Sequence, residues 1–135
     1  MDAAAAHWWT AIAQRQLLLQ RCTDCGVVQH PPGPWCRNCR IGAAVEWVPH
    51  AGTGRLLSFT QVMSTTYAEL QSELPYWIAL VELSPGAVLV SNRIEPEGGF
   101  ADDEPSVGDA VQLTYRERSG VTLPLFELVE RSAVR

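Results

Sequence analysis

Lysine is absent from this chain of 135 residues, in which all ten basic residues are arginine. That absence alone excludes no function, but others do. No stretch approaches the roughly 18 consecutive apolar residues that a membrane-spanning helix needs. The N-terminus, MDAAAAHWWTAIAQRQ, lacks the basic start of a secretory leader, and His7, Thr10 and Gln14 interrupt its apolar residues. A cytoplasmic location without membrane attachment is the expectation. No low-complexity tract is present, and a hydrophobic content of 47% with five tryptophans supplies a core without disulfide staples. No basic strip runs along the chain either. Residues 1–40 carry four arginines against Asp2 and Asp24, formally +2, whereas residues 41–135 carry six arginines against thirteen acids, formally −7. Nucleic-acid tracks need basic side chains to displace phosphate counterions, so this balance argues against one. A catalytic set is also missing: every cysteine lies in one short segment, the three histidines are isolated, and no serine, histidine and acid suggest a triad.

What is present starts with that segment, QRCTDCGVVQHPPGPWCRNCR. Cys22 and Cys25 form one C-x-x-C pair and Cys36 and Cys39 another, with ten residues between the pairs. Each pair can make a knuckle whose thiolates point at one centre, and two knuckles supply four ligands to a tetrahedral ion. The favoured reading is a closed structural zinc site. An iron centre of rubredoxin type has the same ligand set and stays open. Disulfides or a redox pair are disfavoured by a reducing compartment and by the lack of a βαβ pattern. Four sulfur ligands leave no position for a catalytic water. His30, just before two prolines, reads as a loop residue rather than a ligand. Gly26 permits the positive φ that turns backbone amides toward the sulfurs, whereas the second knuckle has Asn38 and Arg40 nearby instead. The loop HPPGPW is stiffened by three prolines and either presents Trp35 for docking or simply closes the ribbon.

Upstream, Asp2 is placed to cap a helix over residues 3–16 with Ala5, Trp8, Trp9, Ile12 and Ala13 on one face. Two adjacent tryptophans at a chain end are costly to leave wet, so a partner surface or an oligomer is expected at Trp8 and Trp9. Downstream come five strand-like runs: Gly54 to Ser64, Tyr76 to Leu83, Ala87 to Ile94, Asp109 to Arg118 and Thr122 to Glu130. Their turn-punctuated spacing predicts a small barrel. Val111, Leu113 and Tyr115 alternate with polar residues, marking one buried face. The run YWIALVEL is apolar on both faces, hence central or covered from outside, which makes Tyr76 and Trp77 candidate contacts. The segment TTYAELQSELP reads as a short helix or lid with Tyr67 and Leu70 aligned. The acidic segment from Glu95 to Pro105 reads as an exposed mobile loop. The fold class is mainly β: residues 1–16 an amphipathic helix, 17–48 a zinc ribbon, 49–135 a barrel.

The order of these parts resembles a family of OB-fold proteins with an N-terminal rubredoxin-like zinc ribbon, partners of thiolase-type, lipid-transfer-protein-like acyl-CoA enzymes that include steroid side-chain aldolases. The resemblance is carried by LLLQRCTDCG (Leu17 to Gly26), HPP (His30 to Pro32), GTGRLLSFT (Gly52 to Thr60), PYWIALVEL (Pro75 to Leu83), GDAV (Gly108 to Val111) and PLF (Pro124 to Phe126). Gly33, Arg37 and Pro85 depart from the family pattern. The resemblance implies a non-catalytic or semi-catalytic subunit in a hetero-oligomer with a thiolase-fold enzyme, supporting retro-aldol cleavage of a steroid side-chain thioester or acyl transfer, with zinc held by the four cysteines and a CoA thioester as ligand of the complex. Arg21, Arg37, Arg40 and Arg55 are read first as solvated or partner-facing side chains, with contact to CoA phosphates as the alternative. A stand-alone acyl-CoA binder or hydratase-type enzyme, and a ribbon-and-barrel protein that binds single-stranded nucleic acid, are the other readings of the same parts.

Overall fold

In the computed structural model, which describes residues 2–40, 42, 44–73, 76–85, 87–96 and 106–130, Asp2 opens helix α1 (Ala3–Ala13) by accepting the Ala5 backbone N–H at 2.8 Å. The helix ends three residues before the expected Gln16. Arg15 turns left-handed at φ 60°, and the Arg15 and Gln16 N–H groups close back on the carbonyls of Ile12 and Ala11. Without a glycine to announce it, that stop was not visible in the sequence. The buried face of α1 is Trp8, Ala11 and Ile12, narrower than the expected one; Trp9 and Ala13 point outward.

A three-stranded antiparallel sheet follows, in the order β2-β1-β3: β1 is Leu18–Cys22, β2 Val28–Gln29 and β3 Val45–Pro49. The central strand β1 serves both faces. Leu19 joins the main core with Leu17 just upstream, while Gln20 and Cys22 turn toward the cysteine knuckles and are buried there. Gly52, at φ 82°, then carries the chain from the ribbon into the barrel, and a Cβ there would lie 2.6 Å from that of Leu113. Both its conformation and its packing require glycine.

The five later strands form a closed barrel: β4 (Thr53–Val62), β5 (Tyr76–Ser84), β6 (Ala87–Pro96), β7 (Ala110–Arg118) and β8 (Val121–Glu130), in the order β4-β5-β6-β8-β7. All neighbours are antiparallel except β6 and β8, and β7 closes on β4 through Thr53–Gln112, Gly54–Val111 and Arg55–Ala110. This is the OB topology, and all five expected strands are present. Val111 and Leu113 are buried with Tyr115 half-buried, as their alternation requires. Strand β5 pairs with β4 and β6, as every strand of a closed barrel has two neighbours; its buried residues are Ala79, Val81 and Leu83, while Leu80 on the other face is exposed. A 3-10 helix, Ala68–Glu73, occupies the expected lid segment, with Tyr67 exposed beside it. Strand β6 extends through Glu95 and Pro96, the start of the expected acidic loop; the rest of that loop, 97–105, lies outside the described residues.

One apolar cluster joins all three parts: Trp8 and Ile12 from α1, Leu17 and Leu19 from the ribbon, and Leu56, Val81, Val111 and Phe126 from the barrel. Each such side chain contributes about 1.5–3 kcal/mol on burial. No helix among the described residues is long and apolar enough to cross a membrane.

Candidate metal centre

The turn after Cys22 brings Cys25 back beside it, and the turn after Cys36 does the same for Cys39. Gly26, at φ 75°, donates its N–H to the Cys22 carbonyl at 3.0 Å, and Arg40, at φ 68°, donates to the Cys36 carbonyl at 2.7 Å. The two knuckles therefore share one backbone turn, the second with an arginine in a conformation that favours glycine. The first cysteine of each knuckle accepts amides: Asp24 and Cys25 donate to Cys22 Sγ at 3.3 and 3.4 Å, and Cys39 donates to Cys36 Sγ at 3.4 Å.

All four sulfurs lie within 4.8 Å of one another, with Cys22 Sγ 3.8 Å from Cys39 Sγ and Cys25 Sγ 3.7 Å from Cys36 Sγ. A tetrahedron with metal–sulfur bonds of about 2.3 Å has edges of about 3.8 Å, whereas a disulfide needs sulfurs about 2.0 Å apart. The arrangement fits a zinc tetrathiolate in which Cys22, Cys25, Cys36 and Cys39 would be the ligands and the ion would act as a structural clip. The Val27 backbone N–H, then the Asn38 side chain, pull the Cys25 thiol down to about 6, while hydrogen bonds that the protonated Cys39 thiol donates to the Cys25 and Cys22 sulfurs push Cys39 up to about 12. A cation resolves that conflict, since it stabilises every thiolate at once.

The loop between the knuckles is held by more than proline. Gln20 and Gln29 are opposite each other on β1 and β2, both buried, with Gln29 Nε2 donating to Gln20 Oε1 at 2.8 Å. Gln20 Nε2 donates to the Gly33 carbonyl and its Oε1 accepts the Gly33 N–H, both at 2.8 Å. Gln29 Nε2 also donates to the Trp35 carbonyl at 3.1 Å, and its Oε1 accepts the Arg37 N–H at 3.0 Å. Sequence reasoning missed both glutamines. A signal existed for one: Gln20 shares strand parity with Cys22, so its side chain had to face the metal side.

The other expected contact residues divide. Trp8 is only 4% exposed and packs in the chain's own core, which corrects its placement on a partner surface: with Ile12 it meets Leu17, Leu19 and the barrel side chains in one cluster. Its indole N–H has no hydrogen-bond partner among the described residues. Trp9 stays on the surface, edge-on to Trp8. Trp35 is 42% exposed, and Arg37 and Arg40, which follow it in sequence, are exposed. Arg55 donates to the Gly108 carbonyl at 3.0 Å on the barrel. Trp77 is half-buried, edge-on to Phe59; Tyr76 opens β5, but its side chain lies outside the described set. An apolar cleft of about 400 Å³ separates α1, Pro31 and Pro32 from β6, and Val90 connects it to a shallow groove beside Leu80 on the barrel wall.

The histidines do structural work. His7 stacks near Trp47, and His30 lies 5.0 Å from Trp8, where burial and then the Arg37 charge lower its pKa to about 4. His50 sits 3.4 Å from Ser84 Oγ, but this pair is not a catalytic dyad. Its Nδ1 must accept the Gly52 N–H at 2.9 Å, so the neutral ring carries its proton on Nε2, facing the Leu83 carbonyl at 3.1 Å. Nε2 is therefore not free to take a serine proton.

A family model for the rubredoxin-like zinc ribbon domain of ChsH2 matches residues 9–46. A probable enoyl-CoA hydratase alpha subunit of Thermomonospora curvata is 38% identical over 124 residues, covering 90% of this chain; the chain spans 36% of that relative's length. A DUF35 domain-containing scaffold protein of Methanothermobacter thermautotrophicus is 32% identical over 110 residues, 81% of this chain and 79% of that protein. Among solved structures, a chain of an Ltp2-ChsH2(DUF35) aldolase superposes with a TM-score of 0.78 at 34% identity, covering 95% of this chain and 96% of that one. With a cysteine ribbon packed on an OB barrel and relatives that align along most of both chains, this chain belongs to the DUF35 family.

Proposed function

We propose that this chain is the accessory, non-catalytic subunit of a thiolase-fold acyl-CoA enzyme, and that it supports retro-aldol carbon–carbon cleavage of an acyl-CoA thioester such as a steroid side-chain intermediate. The carrying observation is the near full-length likeness to a chain of the Ltp2-ChsH2(DUF35) aldolase. Two features support a subunit role. The histidines serve packing and backbone bonding, and the cysteines are gathered in a closed tetrathiolate arrangement with no open position for a reacting group. Exposed apolar side chains, Trp9, Leu80 and Val90 among them, border the cleft and groove that meet at Val90, a surface suited to a partner. A reducing cytoplasm suits a cluster of four thiolates.

The test is co-expression with a thiolase-type enzyme from the source cell, followed by co-purification and an aldol-cleavage assay on a β-hydroxyacyl-CoA. Stoichiometric co-elution, with activity lost when this chain is withheld, is the expected outcome. A partner fully active alone overturns the reading. The Thermomonospora curvata relative favours a second reading, a module of an enoyl-CoA hydratase assembly. Hydration of an enoyl-CoA without carbon–carbon cleavage by the same complex would select it.

A further inference from the structure

Resting on the subunit reading, we infer that Gln20 and Gln29 are positioning residues for partner binding: they fix the segment from Gly33 to Arg37 so that Trp35 projects as a preformed docking anchor. Prolines restrict φ but leave the other backbone groups of the loop to find partners. Here two side-chain amides take four of them: the Gly33 N–H and carbonyl, the Trp35 carbonyl and the Arg37 N–H. Burying two glutamines is costly unless their polar atoms are satisfied, and here each amide is matched to the other and to backbone groups of the loop. The backbone this clamp holds carries Trp35, a residue 42% exposed, with the exposed Arg37 two residues on. Tryptophan and arginine on a rigid segment are the side chains that anchor protein interfaces, because little entropy remains to be lost on docking. The clamp grips the backbone on either side of Cys36 and touches no sulfur, so it can be broken while the metal ligands stay in place.

Gln29→Glu separates the two roles. The carboxylate keeps the size of the amide and the acceptor for Arg37, but it has no N–H for Gln20 Oε1 or for the Trp35 carbonyl. The protein is labelled with fluorotryptophan, the Trp35 resonance is assigned by its loss in Trp35→Phe, and affinity is measured for a recombinant thiolase-type enzyme from the same cell. Gln29→Glu is expected to keep its metal and its cobalt-substituted tetrathiolate absorption, to move the Trp35 resonance to a mobile, solvated position, and to bind the partner about tenfold or more weakly. Trp35→Ala should bind as weakly, and adding Gln29→Glu to it should weaken binding no further. An unmoved Trp35 resonance in Gln29→Glu overturns the inference, as does full affinity in Trp35→Ala, a surface change that spares the fold if Gln29→Glu itself loses metal. If those variants bind normally, the inference alone fails. If the unaltered chain binds no thiolase-type enzyme, the subunit reading fails with it.

Discussion

The knuckle end of the ribbon and the barrel are held by different forces. In the barrel, Leu56, Val81, Val111 and Phe126 are fully buried, and the usual exchange of apolar surface for water fixes the strands. At the knuckles the buried cysteines, Cys22 and Cys36, have only Val45 packed against them among the described hydrophobic residues. The rest is a sulfur cage and two glutamine amides. A segment too short to build a core uses ligand bonds and directional hydrogen bonds instead, and β1 is the strand on which the two regimes meet, with Leu19 on one side and Gln20 and Cys22 on the other.

The largest effect that would test this division is metal removal. Chelation, or Cys36→Ser, should abolish a binding free energy on the order of 10 kcal/mol and release residues 20–40 to fast amide exchange while β7 and β8 stay protected. Simultaneous melting of the barrel would break the comparison. Because Cys39 is pushed up to about 12, metal binding must displace its proton, so loading should weaken steadily as pH falls, which a chromophoric chelator would record. Next, Phe126→Ala should cost about 3–5 kcal/mol in denaturant unfolding while the metal stoichiometry of the folded fraction stays unchanged.

His30 gives a smaller, pH-dependent effect between the two regions. Its folded value of about 4 lies below the ordinary 6.5, so between these values the unfolded chain takes up a proton that the folded chain refuses. The stabilisation is complete above pH 6.5 and declines as pH falls toward 4, by up to about 3 kcal/mol. His30→Phe should flatten that part of a stability-against-pH curve. The smallest change has the opposite sign: Arg40→Gly relieves a left-handed arginine and should stabilise the metal-loaded protein by about 1 kcal/mol or less, measured as a shift in thermal midpoint.

The strands of the barrel were legible because alternation and turn residues are local signals, and the four ligands because C-x-x-C spacing is a local geometry. The orientation of Trp8, the stop of α1 at Ala13 and the glutamine clamp were not. Trp8 and Trp9 are equally apolar, and the choice of which to bury depends on where Leu17, Leu19 and the barrel lie. The stop relies on a left-handed arginine rather than a glycine. Glutamine in a strand usually means a solvated face, and only the return of the 33–37 backbone across β1 and β2 makes it a buried partner. By itself, then, the sequence determined the ligand set, the five strands and the cap at Asp2, each set by chemistry between near neighbours. Tertiary structure decided which tryptophan is core, which amides hold the loop and how the barrel closes, because those outcomes depend on surfaces that meet only after residues far apart in the chain have packed together.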